Sequence, residues 1–276
     1  MKIDSHQHFW IYNPIRDSWI DDSMKILRRN FLPEDLYPII KEQNIDGTIT
    51  VQADQSEDET NFLLKLADEN DWIVGVVGWI DLMGDDIERR LEHFSSLKKL
   101  KGFRHIVQAE PDNNFMLNEK FQNGISRLKH FNFTYDILVF PHQLPAAIKL
   151  SEKHPEQKFI LDHIAKPFIK KNEIEPWASE IRELARNKNV FCKISGIVTE
   201  ADHKNWKPED IYPYLDVVFE SFGYDRLLFG SDWPVCLLAG TYKQVVNLIE
   251  EYTRNISPEE KEKIFGMNAR LFYNIN

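Results

Sequence analysis

The sequence predicts a single (β/α)₈ barrel, and three observations carry that prediction. Eight short apolar runs, rich in Val, Ile and Phe, recur along the 276 residues. An amphipathic stretch of helical length follows each of them. No glycine-rich turn follows the first run, where His6-Gln7-His8-Phe9-Trp10 stands instead. Alternation of strands and helices implies parallel strands, because parallel neighbours need crossover connections. Eight such units close on themselves. An open doubly wound sheet would want a glycine-rich phosphate turn after its first strand. The sequence has no low-complexity tract and no Gly/Ser linker, so residues 1–276 are expected to form one domain. Barrels of this kind commonly run to about 250 residues.

The expected strands are 2–9, 47–53, 73–80, 101–107, 134–140, 158–162, 190–195 and 226–230. Most are too short for helices and strong in β-formers. The first expected helix, 33–43, opens with Pro33-Glu34, and proline suits a first turn. The second, 56–70, opens with Ser56 and Glu59 at the spacing of a capping box. Further helices are expected at 85–98, 118–129, 143–153, 176–187, 208–222 and 241–253, with a last one at 258–273. Residues 9–30 form a long aromatic segment without helical period. Long ordered loops are usually functional, and loops after barrel strands build the active-site face.

Composition narrows the function. A net charge of −10 argues against a nucleic-acid partner, which wants a basic stripe. The longest apolar run, 73–80, is far short of the roughly 20 residues of a membrane span. No leader with an apolar core and cleavage site is visible, so a cytoplasmic protein without a membrane partner is expected. Cys192 and Cys236 form no CxxC pair and read as reduced core residues. The oligomeric state is open, a homo-oligomer included.

The chemistry sits at strand ends. Residues two apart in a strand share a face, so His6 and His8 point together into the barrel. Two imidazoles on one face suit a metal or a polarised substrate, while packing alone would make them hydrogen-bonded core histidines. Asp162-His163 closes the sixth strand, and Ser231-Asp232-Trp233-Pro234 follows the eighth. A buried histidine and a turn aspartate are the structural alternatives there. Polar groups at three separate strand ends favour a catalytic rim. His6, His8, His163 and Asp232 are therefore the expected catalytic set. Arg104, His105 and Gln108 on the fourth strand are expected to bind substrate oxygens, Arg104 through its planar fork. Adjacent residues face opposite ways, so only one of Arg104 and His105 points inward unless the strand bulges. Lys193, buried in the seventh run, needs a partner or a ligand. Trp10 and Trp233 offer faces that suit a sugar ring, against the commoner role of tryptophan in cores. Both, like Lys193, are expected to contact substrate.

Four motifs in order resemble the amidohydrolase superfamily: Ile3-Asp4-Ser5-His6-Gln7-His8-Phe9-Trp10, Gly102-Phe103-Arg104-His105, Leu161-Asp162-His163-Ile164-Ala165-Lys166-Pro167 and Phe229-Gly230-Ser231-Asp232-Trp233-Pro234. Together they span the chain. The resemblance is to the amidohydrolase-2, metal-dependent-hydrolase-like branch, which holds L-fuconolactonase, L-rhamnonolactonase and 2-pyrone-4,6-dicarboxylate lactonase. It implies a barrel that opens a small sugar lactone to its aldonic acid. It further implies that Asp232 is the general base, with His6, His8 and His163 around the carbonyl. Metal-binding relatives use another histidine at the end of strand five. Here only His142 is near, displaced beyond Pro141. His6, His8 and Asp232 are the metal-ligand candidates, and the reaction is expected to need either no cofactor or one divalent metal such as zinc. A zinc-dependent decarboxylase or amidase of the same superfamily is one alternative. A non-enzymatic sugar-binding barrel is another.

Overall fold

The computed structural model describes residues 1–275. Its strands are β1 Ile3–Gln7, β2 Gly47–Val51, β3 Ile73–Gly78, β4 Leu100–His105, β5 Thr134–Ile137, β6 Phe159–Leu161, β7 Val190–Ile194 and β8 Leu227–Phe229. They pair in parallel in sequence order. β1 and the segment after β8 close the ring: the Asp232 amide donates to His6 O at 2.8 Å and the His8 amide to Trp233 O at 2.7 Å. A (β/α)₈ barrel results, as the alternation predicts.

The helices are α1 Pro33–Glu42, α2 Glu57–Glu69, α3 Ile87–Ser95, α4 Glu119–Leu128, α5 Leu144–Lys153, α6 Trp177–Leu184, α7 Pro208–Phe222 and α8 Tyr242–Tyr252. Each turns an apolar face to the sheet, and the main core lies between strands and helices. The expected capping box of α2 is half formed. Ser56 accepts from the Glu59 amide, but the Glu59 carboxylate caps the loop amides of Ala53 and Asp54. No helix among the described residues is long and apolar enough to cross a membrane.

The last expected helix is broken into three parts. α-Helical turns at Pro258–Glu262 and Asn268–Phe272 flank a π-helical turn at Lys263–Met267. A close approach marks the break: a Cβ on Gly266 would lie 2.0 Å from Met1 O. Beyond it the chain turns under the barrel. Ala269, Phe272, Tyr273 and Ile275 join Ile3, Ile49, Val51, Val77, Ile160 and Leu228 in a second apolar cluster. The tail thereby plugs the end of the barrel opposite the expected site.

Candidate active site

The loop after β1 builds one wall. Trp10 pairs with Phe31 through two backbone hydrogen bonds of 3.0 and 2.9 Å, and its indole donates to Arg29 O at 2.9 Å. These bonds hold Trp10 and Trp19 edge to face, 6.1 Å apart, over a cavity of about 250 Å³. His8, Arg104, Gln108, Leu138, His163, Lys166 and Asp232 also line it. A larger groove, about 1410 Å³, runs outside the barrel from Met1 to Trp206 along α8, and none of the expected catalytic residues lines it.

His6 and His8 both face inward. His8 Nδ1 lies 2.7 Å from Val51 O. A carbonyl only accepts, so Nδ1 carries a proton, and Nε2 is turned toward His6 and Asp232. His6 Nδ1 lies 3.3 Å from Asp162 Oδ1. Its Nε2 lies 3.3 Å from Arg104 Nη1 and its Nδ1 3.2 Å from Lys193 Nζ, both obligate donors. The two Nε2 atoms are 3.2 Å apart. Asp232 Oδ1 stands 3.3 Å from that of His8 and 3.9 Å from that of His6. Two ring nitrogens and a carboxylate oxygen thus converge on one point. Tetrahedral ligand atoms around zinc lie roughly 3.3–3.6 Å apart, given bond lengths of about 2.0–2.2 Å. The donor set therefore fits a divalent ion, and His6, His8 and Asp232 form such a group.

His163 reaches the cavity through an unusual backbone. His163, Ile164, Ala165 and Lys166 have φ of 53°, 48°, 60° and 50°. Left-handed conformation costs roughly 1–2 kcal/mol per non-glycine residue, and such strain clusters at functional sites. The Trp177 indole pins the turn by donating to Ile164 O at 2.7 Å. His163 Nδ1 then meets Ser195 Oγ at 2.9 Å, and its Nε2 lies 3.9 Å from Asp232 Oδ1. Gly196, at φ 60°, makes room for the ring: a Cβ there would lie 2.5 Å from His163 Nδ1. Gly196→Ala is therefore expected to push His163 out of place. A 1 Å displacement can cost on the order of 10²-fold in turnover. Steady-state kinetics on protein with an unchanged circular dichroism spectrum checks this, and wild-type turnover would show that the ring tolerates the shift.

Asp232 also sits at positive φ, 58°. Asp4 holds its loop by accepting from Ser231 N at 2.8 Å, Ser231 Oγ at 2.6 Å and Tyr242 OH at 3.0 Å. Burial nevertheless lifts the Asp4 carboxyl to about 6. Strand alternation would put Asp4 on the face of His6 and His8 as a partner for their rings, but its carboxylate does not reach the His6 ring. The register of β1 on β2 shifts between Asp4 and Gln7, which takes Asp4 off the face that His6 and His8 share. Burial opposes ionisation of Asp232, but the adjoining His163 and His8 rings and the Lys166 ammonium outweigh it, and its carboxyl titrates below the ordinary aspartate value. Burial drives the His6 and His163 imidazoles well below the usual histidine range, so both are neutral.

Beneath the histidines lies a charged layer. Arg104 Nη1 donates to Asp162 Oδ2 at 3.0 Å, and its other nitrogen donates to Gln52 O. Lys193 Nζ pairs with Asp136 and lies 3.1 Å from Asp162 Oδ1. Lysine, arginine and His6 together hold the Asp162 carboxyl well below its usual value against burial.

Several expected substrate contacts lie elsewhere. His105 faces the helices, as strand alternation allows when Arg104 points inward. Its ring stacks on Phe115 at 4.8 Å and meets Glu110 at 2.7 Å. Trp233 packs edge to face on Phe31 and Phe9 and is 1% exposed, so it is core. Lys193 is fully buried and reaches His6 in place of the cavity. Its partners Asp136 and Asp162 are what its burial demanded. His142 is exposed, and Leu138 lines the cavity where strand five ends. Gln108 and Trp10 do line the cavity. Lys166 does as well, although only its place in the Ala165-Lys166-Pro167 motif signalled it.

The sequence pattern of the amidohydrolase family, described as "Amidohydrolase", matches residues 3–275. An L-fucono-1,5-lactonase of Burkholderia multivorans is 38% identical over 284 residues, covering 99% of this chain and 96% of that protein. An L-fucono-1,5-lactonase of Burkholderia ambifaria is 32% identical, covering 100% and 96%. A crystal structure of a Burkholderia multivorans amidohydrolase with bound zinc superposes over 100% of both chains, with a TM-score of 0.96 and 38% identity.

Proposed function

This chain belongs to the amidohydrolase family, and we propose that it hydrolyses a sugar lactone, L-fucono-1,5-lactone or a near relative, to the aldonic acid. One observation carries the reading: Asp232 Oδ1 lies within 3.9 Å of ring nitrogens of His6, His8 and His163 at the cavity floor. A carboxylate kept ionised beside the neutral imidazoles of His6 and His163 is suited to take a proton from water.

In this reading water attacks the lactone carbonyl carbon and gives its proton to Asp232. Neutral His163, with Nδ1 turned to Ser195, presents Nε2 to the carbonyl oxygen. The bond from carbonyl carbon to ring oxygen then breaks, and the ring oxygen leaves as a hydroxyl with the proton held on Asp232. The product acid ionises and releases a proton. The Lys166 ammonium faces the negative charge that forms from a neutral ester. Buried Gln108 Oε1 has no protein partner and accepts from a sugar hydroxyl. The Trp10 and Trp19 rings cover the sugar's apolar face.

His6, His8 and Asp232 would hold a divalent metal, and zinc there would polarise a carbonyl and acidify water. One feature favours turnover without it: a lactone is an activated ester and needs less electrophilic help than an amide. Base catalysis and fixed donors supply about 10²–10⁴ and 10²–10³ in rate. Protein stripped with a strong chelator, and shown metal-free by elemental analysis, is expected to keep lactone turnover within about tenfold. Loss that reverses only with added zinc or manganese would overturn this.

The test of the function is a panel of aldonolactones followed by acid release in a weakly buffered indicator assay, L-fucono-1,5-lactone first. Leu138 at the strand-five position also weighs against a metal-dependent decarboxylase. If no lactone is opened and carbon dioxide is released from a carboxylated aromatic acid, the decarboxylase reading replaces this one.

A further inference from the structure

We propose that Tyr273, at the far end of the chain, is a positioning residue for this site: through Asp136 and Lys193 it sets the ring of His6. The inference rests on the lactonase reading only for its kinetic arm.

The tail enters the barrel from the end opposite the cavity. Its other buried members, Ala269, Phe272 and Ile275, are apolar, and a phenylalanine at 273 would plug the barrel as well as tyrosine does. The hydroxyl has a separate role. It donates to the Asp136 carboxylate, 3.0 Å from Oδ2 and 3.2 Å from Oδ1. Asp136 pairs with Lys193. Lys193 Nζ in turn lies 3.1 Å from Asp162 Oδ1 and 3.2 Å from His6 Nδ1. An unbroken polar column therefore runs from the tail to the histidine whose Nε2 faces Asp232, and Tyr273, Asp136, Lys193 and His6 are all within 1% of full burial.

Charge is already balanced in this layer, with Asp136 and Asp162 against Lys193 and Arg104. The tyrosine therefore adds geometry and not neutralisation. Asp136 has two buried oxygens, and a single lysine cannot satisfy both while also serving Asp162. Without the tyrosine hydroxyl, Asp136 draws the Lys193 ammonium toward itself and away from Asp162 and His6. The imidazole then loses the contacts that hold its plane. Tyr273 does not line the cavity, so its effect falls on turnover and not on substrate affinity.

The experiment compares Tyr273→Phe, Asp136→Asn and Ile275→Ala with the wild type. The readouts are kcat, KM, Tm and the ring nitrogen and proton signals of His6 in ¹⁵N-histidine NMR spectra. Outer contacts of this kind commonly cost 10–100-fold. Tyr273→Phe is expected to lower kcat about tenfold, to leave KM unchanged, and to move the His6 ring signals. Asp136→Asn should move the same signals. Ile275→Ala, which trims the plug at a residue outside the column, should lower Tm alone. If Tyr273→Phe also changes only Tm, with wild-type kcat and His6 signals, the tail is merely a plug and the proposal is wrong. Should Tyr273→Phe fail to fold, Asp136→Asn decides by the same signals. Should the wild type open no lactone, the lactonase reading fails, and the His6 signals still decide this inference.

Discussion

Asp232→Asn lowers lactone turnover by about 10²–10⁴-fold while leaving the barrel intact. The amide keeps the shape of the carboxylate, so the backbone bonds from Asp232 N to His6 O and from Cys236 N to Asp232 O persist. What is lost is a base that stays ionised across the neutral range, because its carboxyl titrates below the ordinary value. The wild-type profile should therefore stay flat through neutral pH and fall only under acid conditions, as the carboxylate protonates. Initial rates of acid release, with circular dichroism as the folding control, check the assignment. Turnover near that of the wild type would assign the base elsewhere.

Arg104→Met destabilises the whole protein, by about 3–5 kcal/mol. The guanidinium is 3% exposed and neutralises Asp162 at 3.0 Å. Removing it leaves Asp162 and Asp136 to share Lys193 as their lysine or arginine partner in the barrel interior. Breaking one side of a buried pair is costly because the other charge stays behind. At a few degrees per kcal/mol, Tm should drop by roughly ten degrees. From the sequence, loss of Arg104 would first weaken substrate binding. The structure adds the larger structural cost, because its hydrogen bonds go to Asp162, Gln52 and His6. Thermal unfolding by calorimetry separates the two effects. An unchanged Tm with a raised KM would make Arg104 a substrate contact before a structural one.

The sequence by itself determined the order of elements and, to within one residue, where the strands begin. Strand alternation has a period of two and helix periodicity one of 3.6, and both are written in local residue order. His6, His8, His163 and Asp232 were legible for the same reason, since each stands at or just beyond a strand end. Tertiary structure alone decided which side chains meet. A register shift in β1 removed Asp4 from the face of His6, and such a shift depends on the fit to β2. A four-residue left-handed turn aimed His163 and Lys166, a backbone that residue preference argues against and that only the surrounding packing sustains. His105 and Trp233 went to the outer core because each found aromatic neighbours there. The column from Tyr273 to His6 joins residues 137 positions apart at its first contact. No local pattern encodes that contact. It exists because closing the barrel and folding the tail beneath it brought a hydroxyl to a buried carboxylate that needed a donor.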